Sequence, residues 1–500
     1  MAGPDMGETS TRSVAPGGLG VMPAPPERLA ALREELARRK LDGFLAPRTD
    51  AFMGEYMPAN AERVQWLTGF AGSAGFVGVA RDRAAIFVDG RYTLQVRDQV
   101  DVEAFTPRHI TDEPPTDWIA ETFADGARIG YDPWLHTPNG LKRLAKAAAQ
   151  AGATLVPVED NPIDAVWDNR PPPPDAPAVA HELDYAGEAS ADKRMRLGNA
   201  LARRQLDAAV LTASDSIAWL INIRGGDVPN CPLALSYALL KSDGTVVWFI
   251  DPAKVDATLR GTLGEMVEIR PLEDIGRALE ALGADGAHVL ADPAGSSSAI
   301  FDHLTAGGAE IVEGTDRRLR RFPRLLPKAC KNEIEIEGAR IAHRRDGVAL
   351  ARFLHWLDET APTGDLSELD AIDRLYAFRA EGMRFRGPSF DTIAGYGPNG
   401  AIVHYRASPE TSKRIEPGSL LLVDSGGQYD EGTTDVTRTV PIGAPSDEMR
   451  RRFTLVLRGH IAIATARFPK GVTGSQLDPL ARAPLWNDGV DYDHGTGHGV

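Results

Sequence analysis

Ser419-Leu420-Leu421-Leu422-Val423-Asp424, Ser425-Gly426-Gly427-Gln428-Tyr429-Asp430-Glu431 and Gly432-Thr433-Thr434-Asp435-Val436-Thr437-Arg438-Thr439-Val440 read in succession as strand, turn and strand. So continuous an apolar run implies a buried first strand, and Asp424 ends it. Asp435 follows eleven residues later on the returning strand. A hairpin centred between Tyr429 and Asp430 sets these two carboxylates directly opposite each other, and a bulge at Gly426-Gly427 would shift that register. Like charges facing each other on a sheet are destabilising, and burial adds to the cost. One or two bound divalent cations remove the penalty. The plainer alternative is one capping and one surface aspartate.

Downstream, His494-Gly495-Thr496-Gly497-His498-Gly499 places two histidines four residues apart. The glycines argue against a helix and permit tight backbone beside a site. Imidazole is a common ligand of borderline transition metals, whereas Mg²⁺ and Ca²⁺ prefer oxygen. Asp424, Asp435 and His498 together therefore suggest Mn²⁺, Zn²⁺, Co²⁺ or Fe²⁺. Upstream, Gly395–Tyr405 reads as a turn-rich loop presenting a short strand that ends in His404. A lone strand-end histidine is more often structural; its place shortly before the hairpin gives it weight as a site residue. His343, His355 and His460 fall on predicted helices and read as structural. No HExxH, GxSxG or Walker A motif occurs.

Around this region the 500 residues are too many for one compact core, so two or three domains are expected. Leu36-Ala37-Arg38-Arg39-Lys40-Leu41-Asp42 closely matches Leu201-Ala202-Arg203-Arg204-Gln205-Leu206-Asp207. Each copy closes a helical pattern (28–41 and 190–206) and precedes a strand-like stretch, which indicates a duplicated α/β unit. Strand pairs follow in both units: 76–79 with 85–88, and 239–240 with 246–250. Residues 1–26 read as a disordered tail, and Pro171–Pro174 as a stiff linker between the units. The second unit is expected to end near Pro323–Pro327, and a catalytic domain to begin at Lys328. Its long first helix has a predicted apolar stripe of Ile334, Ile341, Val348, Leu350, Phe353, Leu354 and Leu357. Arg224-Gly225-Gly226-Asp227 reads as a turn, or as a border of the substrate entrance. The net charge of −15 disfavours nucleic acid and anionic membranes as partners. No apolar run reaches the roughly 20 residues of a membrane span. Two cysteines, Cys231 and Cys330, suit a reducing compartment.

The stretch Ser389-Phe390-Asp391-Thr392-Ile393 to His404-Tyr405, the Asp424–Thr439 hairpin and the His494–Val500 segment resemble the large cytosolic form of aminopeptidase P (Xaa-Pro aminopeptidase). The resemblance extends through Lys331-Asn332 and Asn222–Asp227 to Trp66-Leu67-Thr68-Gly69-Phe70. It implies two creatinase-like N-terminal α/β domains (27–170 and 175–326) followed by a pita-bread metallopeptidase domain (328–500). It implies two divalent metals, most often Mn²⁺ with Zn²⁺ or Co²⁺ possible, a cytoplasmic location and a homodimer. Asp424 and Asp435 match bridging metal ligands, His498 a histidine ligand, and His404 and His494 catalytic histidines. The family also uses two glutamate ligands and a further histidine, which the resemblance puts beyond Val500, in an extension of about a hundred residues.

The activity so implied is hydrolysis of the N-terminal Xaa-Pro bond of peptides by a hydroxide held between two cations, with His404 stabilising the oxyanion. A prolidase-like dipeptidase and a non-catalytic peptide-binding relative stay open as alternatives. Proline specificity rests on the resemblance alone.

Overall fold

The computed structural model describes residues 23–314 and 326–498. The first unit is a six-stranded sheet built from β1 (Gly43–Pro47), β2 (Phe76–Ala80), β3 (Ala84–Val88), β4 (Thr106–His109), β5 (Arg128–Tyr131) and β6 (Thr154–Pro157). After a short β7 (Val179–Ala180), the second unit contributes β8 (Ala208–Leu211), a short β9 (Ile223–Arg224), β10 (Tyr237–Lys241), β11 (Val246–Phe249), β12 (Val267–Arg270), β13 (His288–Ala291) and β14 (Glu310–Glu313). The two sheets share one order, β4-β3-β2-β1-β5-β6 and β12-β11-β10-β8-β13-β14.

The heptapeptide repeat has a structural counterpart in each unit. The helices Pro25–Arg38 and Ser190–Ala202 both end through a left-handed residue, Lys40 (φ 57°) and Gln205 (φ 58°). In both, the next leucine donates back to the last helical turn, Leu41 to Leu36 O and Leu206 to Leu201 O, a helix-closing bond that fixes the exit direction. The following aspartate then docks the central strand's neighbour: Asp42 Oδ2 accepts from Arg128 N (2.7 Å) and Asp207 Oδ2 from His288 N (2.8 Å). Apolar side chains cover both faces of each sheet, so central strands such as β2 and β8 are buried throughout. The polyproline stretch takes part in neither sheet.

The remaining domain contains the helices Glu333–Thr360, Glu368–Ala380, Asp447–Ala464 and Gly474–Trp486. Its strands are β15 (Phe385–Pro388), β16 (Ile393–Tyr396), β17 (Ser419–Ser425), β18 (Gly427–Tyr429) and β19 (Val436–Ile442), paired as β16-β17-β19 and β15-β18. Phe353, Leu357, Leu375, Leu421 and Val423 meet in its core.

Several expectations are corrected here. The helix that opens the first unit starts at Pro25, inside the expected tail; residues 1–22 of that tail, and most of the expected boundary at Pro323–Pro327, lie outside the described residues. The long helix buries Gly338, Ala342, Asp346, Ala349, Leu350, Phe353 and Leu357, while Ile334 and Val348 are exposed. A seven-residue spacing drifts around a 3.6-residue helix, so Ile334, Ile341 and Val348 do not hold one face. Small residues replace them where the helix meets backbone: a Cβ on Gly338 would overlap the Glu431 carbonyl oxygen. β17 is buried on one face only, through Leu421, Val423 and Ser425. His404 does not end a strand; it sits in a turn that follows the short helix Gly397–Ala401.

Candidate metal centre

The hairpin that was expected to oppose Asp424 and Asp435 is wound one residue further along. Tyr429 N–H donates to Gly432 O (2.9 Å) and Gly432 N–H to Tyr429 O (3.4 Å), so the turn centres on Asp430-Glu431. Asp424 consequently faces Thr437 and Ser425 faces Val436. Asp435 stands just before β19, two residues from Thr437. Strand alternation keeps it on the Asp424 side as a diagonal neighbour. Thr437 Oγ1 donates to Asp424 Oδ1 (2.7 Å). Gly426 makes the turn-back possible, because a side chain there would collide with Thr434 O and Ser389 Oγ.

Asp424, Asp435, His498 and His404 line one cleft of about 410 Å³. His498 Nε2 lies 3.7 Å from Asp435 Oδ2. Burial raises the Asp424 carboxyl above its ordinary pKa; the Thr437 bond opposes this, the Asp435 charge adds to it, and His498 lowers it. Among the described residues, no three His, Cys, Asp or Glu side chains form a finished cation cage. The donor chemistry still suits a divalent transition metal: two half-buried carboxylates and an imidazole face one space. Burial is the chief cause of the Asp424 shift, and a bound cation would offset it.

The cleft's other wall is the first N-terminal unit, which supplies Glu55, Tyr56, Gly72, Ser73 and Tyr92. Tyr92 is fully buried; its Oη accepts from Ser73 N (2.9 Å) and contacts Ser73 Oγ (2.6 Å) and His404 Nδ1 (2.8 Å). Burial, and next the Arg91 charge, hold the His404 imidazole below its usual pKa.

Two buried carboxylates brace these elements. Glu368 Oε1 accepts from Tyr396 N (2.7 Å) and Asn399 Nδ2 (3.0 Å), and its Oε2 from Tyr405 Oη (2.8 Å) and Lys413 N (2.9 Å). One residue thereby ties down both ends of the loop carrying His404. Asp346 pairs with Arg379 (2.7 and 3.1 Å) and accepts from Tyr429 Oη (3.0 Å), while Arg379 Nη2 reaches Ser425 Oγ (3.1 Å) beside Asp424.

Known proteins resemble the chain along its length. Residues 28–166 and 169–335 each match a Creatinase/Prolidase N-terminal domain, and 337–500 match Metallopeptidase family M24. A probable Xaa-Pro aminopeptidase P of Laccaria bicolor is 39% identical over 478 residues, spanning 95% of this chain and 74% of that protein. The chain belongs to the aminopeptidase P family. Aminopeptidase P2 of Arabidopsis thaliana is 36% identical over 503 residues, covering 95% of this chain and 71% of its own length. The crystal structure of X-prolyl aminopeptidase from Caenorhabditis elegans superposes with a TM-score of 0.88 at 33% identity, over 95% of this chain and 79% of that one. That protein is described as a cytosolic enzyme with a di-nuclear active site.

For this aminopeptidase P chain, the residues singled out from sequence fall into two groups. Asp424, Asp435, His498 and His404 share the cleft, whereas His494 does not line it. His494 packs against Tyr492 with the rings tilted by 32° (4.7 Å between centroids), and its Nδ1 faces Gly495 O (2.8 Å). Tyr92, Glu368 and the Asp346–Arg379 pair were missed. Their partners lie from 19 to 312 residues away in the chain, beyond any motif. Cys231 and Cys330 are both free thiols.

Proposed function

We propose that the chain is a metal-dependent aminopeptidase that hydrolyses the N-terminal Xaa-Pro bond of peptides. The observation that carries this is the meeting of Asp424, Asp435, His498 and His404 in one cleft, in a member of the aminopeptidase P family. Asp424, Asp435 and His498 would hold two divalent cations. Such ions supply Lewis-acid polarisation of the scissile carbonyl and activation of water. Tyr56, Phe390 and Ile393 line the cleft and offer the apolar wall that a proline ring needs. A cytosolic location, manganese as the native metal and a homodimer belong to the same reading and rest on resemblance. Among the described residues no helix is long and apolar enough to cross a membrane.

His404 is assigned the substrate carbonyl. If Tyr92 donates to Nδ1, the neutral ring carries its proton on Nε2, where it can be offered to a developing oxyanion. Tyr92→Phe keeps the volume and removes that bond. The expected result is a roughly 10- to 100-fold fall in kcat with little change in KM. An unchanged kcat would show that the tyrosine does not orient the histidine.

The metal reading has its own test. Chelated protein should lose hydrolysis of Arg-Pro-Pro-type tripeptides and regain it with added Mn²⁺, Zn²⁺ or Co²⁺. Full activity in verified metal-free protein would overturn it. If Xaa-Pro dipeptides are cut and tripeptides are not, the prolidase-like alternative is correct.

A further inference from the structure

The second N-terminal unit and the catalytic domain enclose a separate cavity of about 430 Å³, which shares Thr433 with the metal-centre cleft. It continues into a groove of about 590 Å³ along His181, Arg224 and Gln428. Gln428 Nε2 donates to Asn230 O (3.0 Å), and Asn230 Nδ2 donates to Asp391 Oδ1 (3.0 Å) in the cleft, so the two spaces adjoin through named contacts.

The charge on its walls is uneven. Three of its carboxylates already have cations: Asp215 pairs with Lys328, Asp430 with Arg386 (2.5 Å) and Glu431 with Arg345 (2.8 Å). The fourth, Glu335, caps the long helix by accepting from Asn332 N (2.9 Å). Lys193, Arg224 and Lys331 also line the space, and none forms an ion pair among the described residues. Lys193 is 1% exposed and donates only to neutral oxygens, Trp219 O (3.0 Å) and Asn222 Oδ1 (2.8 Å). Arg224 donates to Ile223 O (2.9 Å) and meets His181 Nε2 (3.1 Å).

A buried cation without a counter-charge is costly, and a guanidinium cannot shed its proton. Burial lowers the Arg224 pKa to about 10 and that of Lys193 to about 8. His181, driven to about 4 first by burial and then by the Arg224 charge, stays neutral; Glu335 offsets part of the Arg224 and Lys193 charge, and Glu188 part of that on Lys193. With the paired carboxylates set aside, Lys193, Arg224 and Lys331 face Glu335 on the lining and Glu188 beyond it, the latter already paired with Arg196 (2.8 Å), so positive charge exceeds negative here in a protein of net charge −15.

We propose that this cavity is an oxyanion-binding site centred on Arg224 and Lys193, and that it takes a carboxylate of the peptide downstream of the scissile bond. The substrate assignment rests on the function proposed above; the anion site does not. Guanidinium geometry suits a carboxylate or a phosphate alike, so two experiments on the full chain separate the sources.

In the first, KM is compared for a peptide with a free C-terminal carboxylate and for its amide. Amidation should raise KM about tenfold in the unaltered protein and under twofold in Arg224→Gln. In the second, inorganic phosphate is titrated against the melting temperature of the chelated protein, which needs no activity. A saturable rise that Arg224→Gln abolishes and Arg224→Lys partly retains, with KM indifferent to amidation, would keep the site and overturn the peptide assignment in favour of a free oxyanion. No phosphate effect together with equal KM values would overturn the site itself. If Arg224→Gln fails to fold, Lys193→Met is read in the same two assays.

Discussion

Asp435→Asn is expected to lower kcat/KM on Xaa-Pro peptides by more than about 10²-fold, because even outer partners of a metal ligand are worth 10–100-fold. The substitution keeps size and shape. It removes one negative charge from a pair whose mutual repulsion is otherwise relieved only by cations. Metal content should fall with activity, since the amide oxygen is a weaker donor than a carboxylate. His404→Ala, in contrast, should lose turnover and keep its metal. Metal analysis of both purified variants decides the matter. An Asp435→Asn protein with full metal content and near-normal turnover would remove Asp435 from the ligand set.

Asp346→Ala should cost about 3–5 kcal/mol, the usual penalty when one partner of a buried pair is removed. The side chains of Asp346 and Arg379 are 4% and 2% exposed. Deleting the carboxylate strands the guanidinium and leaves Tyr429 Oη without its acceptor. The change should appear as a lower midpoint of urea unfolding for the catalytic domain. Adding Arg379→Met should recover much of the loss, because the second substitution removes the stranded charge. A cost below about 1 kcal/mol would mean that water reaches the pair. Since Arg379 also contacts Ser425, next to Asp424, metal affinity should drop alongside stability.

The hairpin shows why part of the site was legible and part was not. An apolar run ending in aspartate, a glycine turn and a second aspartate identify two carboxylates on adjoining strands whatever the turn length. Slipping the turn centre by one residue moves the pairing by two, and a period of two leaves facing unchanged. The expected opposition of Asp424 and Asp435 was therefore wrong in register and right in side. The long helix went the other way. Its heptad-spaced isoleucines promised a face that the 3.6-residue turn does not maintain, and the real contacts use Gly338 and Ala342, which carry almost no hydropathy signal.

Local pattern thus determined the duplicated α/β units and the four cleft residues Asp424, Asp435, His498 and His404, because each depends on periodicity or on spacing within a short segment. The Tyr92–His404 bond, the Glu368 brace and the cationic cavity around Arg224 were decided only by tertiary structure. Each joins segments that lie far apart in the chain, and a hydrogen bond or an unbalanced charge exists only once folding has brought its two sides together and excluded water from between them.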